Sequence, residues 1–112
     1  MFQTKILIKE NGCTDDEIKV LDTKIPYFYQ HIKRLFIQEP EGVQIILIGS
    51  KDEFQRLNTE NRTKGAFLKG NTIYIYEPHL LGSETKIQRK DFYRILYQEL
   101  IYLFYKTNRR NN

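Results

Sequence analysis

The sequence predicts an α+β fold: a single domain spanning residues 1–112, with a mixed four-stranded sheet, the order β-α-β-α-β-β-α, and the last helix packed under the sheet. Three stretches predict it. In residues 88–106 (QRKDFYRILYQELIYLFYK), Phe92, Leu96, Leu100, Leu103 and Phe104 recur at three- and four-residue spacing, the apolar stripe of an amphipathic helix. Residues 65–76 (GAFLKGNTIYIY) alternate on either side of a two-residue Gly70-Asn71 turn. Residues 43–49 (VQIILIG) form a nearly unbroken β-branched run, the pattern of a central strand covered on both faces.

The elements follow in order. Residues 2–9 (FQTKILIK) alternate, with Ile6 and Ile8 on one side, and predict the first strand. Asn11-Gly12 signals a turn. Thr14-Asp15-Asp16-Glu17 has a capping-box pattern, and its acids suit the positive end of a helix running towards Gln38. Pro26 predicts either a kink or a break into two helices. Pro40-Glu41-Gly42 is a loop, and the run at 43–49 closes a right-handed βαβ unit with parallel strands. Ser50-Lys51-Asp52-Glu53 caps a short helix reaching about Leu57. In the hairpin, Leu68 should face Ile73 and Ala66 should face Ile75, leaving Phe67, Lys69, Thr72, Tyr74 and Tyr76 on the other face. Residues 77–84 read as a loop, Ser83 or Thr85 as the cap of the last helix, and residues 106–112 as a frayed tail.

The 112 residues are 40% apolar, enough for a packed core. Cys13 alone makes no internal disulfide, and no Cys cluster suggests structural zinc. The amino-terminal segment lacks the apolar run of a signal peptide, and no stretch reaches the length of a membrane span. A cytoplasmic protein with no membrane partner is the expectation. The formal charge of +4 permits contact with nucleic acid without demanding it. Its cations fall in short groups: Lys33-Arg34, Arg89-Lys90 with Arg94, and Lys106 with Arg109-Arg110. The last group follows a helix C-terminus, where the helix dipole favours positive charge.

The last helix contains one local anomaly. Glu99 lies beside the apolar stripe, where a carboxylate costs several kcal/mol unless it is paired, hydrogen-bonded or protonated. Around it the chain reads Tyr97-Gln98-Glu99-Leu100-Ile101-Tyr102. With His at positions 98 and 102 this would be H-E-x-x-H. In that motif two imidazoles, four residues apart on one helix face, grip zinc, and the Glu deprotonates the metal-bound water.

The hairpin GAFLKGNTIYIYEPHLL, a polar loop and the helix DFYRILYQELIYLFY together resemble the zincin-like metallopeptidase domain, especially small single-domain gluzincins. The resemblance covers residues 43–105, with a weaker match to the first strand. It implies a hairpin at the substrate-side edge of a mixed sheet, followed by the motif helix. It puts Glu99 at the general-base position, as a vestige, and Gln98 and Tyr102 at the two ligand positions. Gluzincins take a third ligand from downstream, but LIYLFYKTNRRNN after Glu99 has no Asp, Glu, His or Cys. The implied protein is a metal-less pseudoenzyme with a degenerate zinc-binding motif and no cofactor. Phe67, Tyr74, Tyr76 and His79 would line its former active-site cleft, which is open to a peptide or partner protein by strand addition.

Other readings compete. Glu99 can be structural, held by Tyr74, Tyr76, Tyr93, Lys69 or a backbone amide. His31 sits mid-helix beside cations, and His79 in a loop within reach of Gln98 and Glu99. Cys13 has no His partner at nucleophile spacing, and Gly49-Ser50-Lys51 lacks the leading glycine of a phosphate loop. One alternative function is a basic nucleic-acid-binding module using the cations of the last helix and tail. Another is a residual hydrolase, either metal-dependent or using Glu99, His79 and a tyrosine for acid–base chemistry.

Overall fold

The computed structural model describes residues 5–8, 15–58, 65–78 and 89–110. The elements are β1 (Lys5–Ile8), α1 (Asp15–Lys33), β2 (Gln44–Ile48), α2 (Lys51–Leu57), β3 (Ala66–Lys69), β4 (Thr72–Tyr76) and α3 (Phe92–Arg110), the last preceded by a 3₁₀ turn at Arg89–Asp91. The class is α+β, with three α-helices on a mixed sheet of order β1-β2-β4-β3. β1 runs parallel to β2 and β2 parallel to β4, while β3 joins β4 antiparallel as the edge strand. No helix among the described residues is long and apolar enough to cross a membrane.

Register assigns the faces. Ile45 lies beside Ile73, which faces Leu68; Leu47 lies beside Ile75, which faces Ala66. All six are buried, and they form one face. Ile46, Ile48, Phe67, Tyr74 and Tyr76 alternate to the other face. There Phe54 of α2 stacks on Tyr76 with ring centroids 4.1 Å apart and meets Phe67 edge-on at 5.1 Å. α2 therefore covers the aromatic face. α1 and α3 pack on each other and cover the aliphatic face, with α3 against β3 and β4.

The expectation for α2 holds, and the helices depart from expectation at the end of α1 and at both ends of α3. α1 is continuous through Pro26 and ends at Lys33, short of Gln38. Leu21, Ile25, Tyr29 and Ile32 recur along one side of it and are almost fully buried. Their burial outweighs the roughly 3 kcal/mol that an interior proline costs, and the carbonyl freed at exposed Asp22 can meet water. At α2, Ser50 does cap: its hydroxyl accepts the Glu53 amide at 3.3 Å. α3 begins at Phe92, later than expected, and runs to Arg110 through residues read as a frayed tail. Thr14 and the expected caps Ser83 and Thr85 lie outside the described residues.

α3 is extended by a side chain that ties it to the loop after α1. Asn108 Nδ2 donates to the Gln38 carbonyl at 3.0 Å, and its Oδ1 accepts the Gln38 amide at 2.9 Å. The same Nδ2 donates to the Phe104 carbonyl at 2.7 Å. Replacing Asn108 by Ala should lower stability by about 1–2 kcal/mol and speed exchange of the Gln38 amide above that of the sheet amides. Urea unfolding and hydrogen exchange measure the two effects.

Candidate functional site

α3 carries the sequence-predicted site, and its contacts with α1 fix which way each residue faces. Tyr93 and Tyr97 meet Phe28 edge-on, at 6.4 and 5.2 Å between centroids. The Tyr97 hydroxyl lies 2.8 Å from His31 Nδ1. Phe104 meets Tyr29 at 5.1 Å and Phe36 at 5.6 Å. The side of α3 carrying positions 93, 97, 104 and 108 therefore faces α1 and its following loop. At 100° per residue, Glu99 lies about 150° round the helix from that side. α3 sits over β3 and β4, so the flank away from α1 is the flank beside the edge strand β3.

Glu99 is 7% exposed. It is no bare buried charge, since it takes part in a polar interaction. Gln98 is exposed, with Arg94 Nη1 3.5 Å from its Oε1. Tyr102 is 41% exposed, and Lys106 Nζ stands 5.8 Å from its ring centroid. Gln98 and Tyr102 thus share an open helix face, and the acid next to them turns inward. Among the described residues no three His, Cys, Asp or Glu side chains converge on one point.

The residues expected to line a cleft lie elsewhere. Phe67 and Tyr76 are 3% and 4% exposed, packed under Phe54 of α2. Tyr74 is half-buried and stacks on Phe67 with centroids 4.8 Å apart. This places the three aromatics across the sheet from α3, whereas the crevice reading needs them beside Glu99. Alternation predicts two faces but not which one receives the last helix. Lys69 is exposed at the hairpin end, and His79 and Cys13 lie outside the described residues.

The edge strand contributes backbone. The Tyr76 amide donates to the Gly65 carbonyl at 3.2 Å, so residues 65 and 76 form a hydrogen-bonded pair. Pairs alternate along an antiparallel ladder, so Phe67 and Lys69 also turn their amides and carbonyls towards β4. Ala66 and Leu68 turn theirs outward. Gly70, with φ +62, supplies the left-handed position of the tight turn that closes this ladder.

Sequence reading missed Glu77. It follows β4 directly and is fully buried, and its amide donates to the Ile48 carbonyl at 3.0 Å. Like Glu99 it is held by an interaction. The available signal was an acid directly continuing the apolar and aromatic run Ile73–Tyr76. Reading residues 77–84 as a loop concealed it.

Compared with known proteins, the chain matches no family model, no curated protein and no solved structure.

Proposed function

We propose that the chain is a zincin-like domain without a metal centre, a pseudoenzyme that holds an extended segment of a partner protein in the crevice between α3 and β3. The observation that carries this reading is Glu99, buried on the flank of α3 nearest the edge strand, with Gln98 and Tyr102 where imidazoles would be needed. Neither an amide nor a phenol replaces imidazole well as a zinc ligand, and a catalytic zinc needs three protein ligands with one position open. A water-activating carboxylate without a metal loses its partner in chemistry. A strand edge keeps its use, because backbone pairing supplies affinity whatever the local side chains. On this reading the outward amides and carbonyls of Ala66 and Leu68 pair with the added strand. Glu99 is then a structural carboxylate.

Two measurements test the proposal together. The purified full chain should contain no stoichiometric zinc and should cleave none of a mixed panel of unstructured peptides. The same panel, immobilised, should yield peptides that slow hydrogen exchange at the Ala66 and Leu68 amides more than at those of β2. Stoichiometric zinc with hydrolysis lost in Glu99→Gln would reject the metal-less reading. Bound peptides that leave the β3 amides unprotected would reject the edge-strand mode.

A further inference from the structure

The end of the molecule where α1 and α3 finish presents apolar side chains on a loop that is firmly held. Leu35 is 66% exposed and Ile37 is 93% exposed. Phe36 between them packs on Phe104, 5.6 Å between centroids. The Leu35 amide donates to the Ile32 carbonyl at 2.8 Å, and Asn108 clamps Gln38 from both sides. One residue on, Glu39 receives the Tyr29 hydroxyl at 2.9 Å and the Lys33 ammonium at 2.8 Å. A loop pinned at 35, 36, 38 and 39 does not expose its aliphatics by fraying.

Charge surrounds this tip on one side of the balance. Arg34 belongs to the loop, and Arg109 follows the clamping Asn108. Exposed Lys69 stands at the same end, because the adjoining Asn71 donates its side-chain amide to the Glu41 carbonyl. Glu39 is neutralised by Lys33, so Glu41 is the exposed acid set against these three cations among the described residues. Tyr105, 51% exposed, lies on α3 one turn before Asn108 and Arg109, and Arg109 stands 5.9 Å from its ring centroid.

We propose that this end docks peripherally on an anionic membrane surface. Leu35 and Ile37 enter the headgroup boundary, Arg34, Lys69 and Arg109 meet lipid phosphates, and Tyr105 lies at the interface. Two weak signals, apolar insertion and a cationic rim, are the combination that holds a soluble domain to a bilayer. A side chain as bare as Ile37 stands out from the surface without a groove around it. A fluid interface accommodates such a tip, whereas a protein partner needs a broad complementary area. A second copy of the chain would bring cations against cations. The expectation of no membrane partner rested on the lack of a spanning segment, and peripheral docking needs none.

The full chain should co-sediment at low salt with vesicles of phosphatidylcholine containing phosphatidylserine, and much less with phosphatidylcholine alone. Leu35→Ser with Ile37→Ser should weaken retention by about tenfold or more, since roughly half of each side chain's burial is lost. Arg34→Gln with Arg109→Gln should markedly weaken the dependence on anionic lipid and on salt, leaving the share that Lys69 carries. All four positions are exposed, so the thermal unfolding midpoint should stay unchanged, which separates docking from folding. Equal retention on both vesicle types, no retention on either, or retention insensitive to the Leu35 and Ile37 changes would each overturn the proposal. Binding to single-stranded RNA or to an acidic protein without vesicle binding would overturn it in favour of that partner.

Discussion

Phe104→Ala is expected to destabilise the domain by about 3–5 kcal/mol, the largest loss of any single change argued for this chain. Phe104 is fully buried. It meets Tyr29 of α1 at 5.1 Å and Phe36 of the following loop at 5.6 Å, and its own carbonyl receives the Asn108 amide. Truncation leaves a cavity at the junction of α1, α3 and the loop, and rigid neighbours on three sides cannot close it. Small domains hold about 5–15 kcal/mol in total, so the loss is a large share of the whole. Urea unfolding should show a lower midpoint with an unchanged slope. Tyr102→Ala, on the exposed side of the same helix, should cost no more than about 0.5 kcal/mol. Equal losses at the two positions would mean that α3 does not face the core as described.

The parts legible in the sequence were those where local pattern and burial agree. The hairpin is the clearest case. Gly70-Asn71 fixed the turn, the turn fixed the register, and Ala66↔Ile75 and Leu68↔Ile73 pair as alternation requires. β2 read as doubly covered, and it is, with Ile45 and Leu47 under the helix pair and Ile46 and Ile48 under α2. α1 was harder because two signals conflict inside it. Pro26 argues for a kink or a break, and the stripe Leu21, Ile25, Tyr29 and Ile32 argues for one unbroken helix, which packing against α3 favours. The end of α3 was illegible for a similar reason. Residues 107–110 look like a polar tail until Asn108 finds Gln38, a partner 70 positions away.

For the site, Glu99 was legible because an acid beside an apolar stripe breaks a local rule. The misplacement of Phe67, Tyr74 and Tyr76 has one cause: a period of two divides a strand into faces without labelling them. Only the ring contacts of Phe54 show that α2 takes the aromatic face. The flank of α3 that carries Glu99 therefore lies beside the backbone edge of β3, with the three rings on the opposite face of the sheet.

The second large effect is expected at alkaline pH, where stability should fall steeply above the ordinary tyrosine value of 10.0. Burial pushes the Tyr29 phenol above that value, and the hydrogen bond and negative charge of Glu39 push it further in the same direction. The unfolded chain releases the Tyr29 proton near the ordinary value, while the folded chain must keep it. Above that pH the unfolded state therefore binds fewer protons, and stability falls as pH rises. The stabilisation is fully present below 10.0 and disappears as pH rises towards the folded value. Its partner sets a weaker acid limit. Hydrogen bonds from Lys33 first and Tyr29 second hold the Glu39 carboxyl below its ordinary value of 4.5. Its contribution is therefore present above 4.5 and lost as pH falls below it. Tyr29→Phe keeps the ring against Phe104 and removes the titrating group. The variant should lose the alkaline limb of the stability profile and keep most of the acid limb, because Lys33 remains on Glu39. Urea unfolding from acid to alkaline pH measures both limbs. An unchanged alkaline limb in Tyr29→Phe would show that another group governs it and that the Tyr29–Glu39–Lys33 chain does not hold the loop through the phenol.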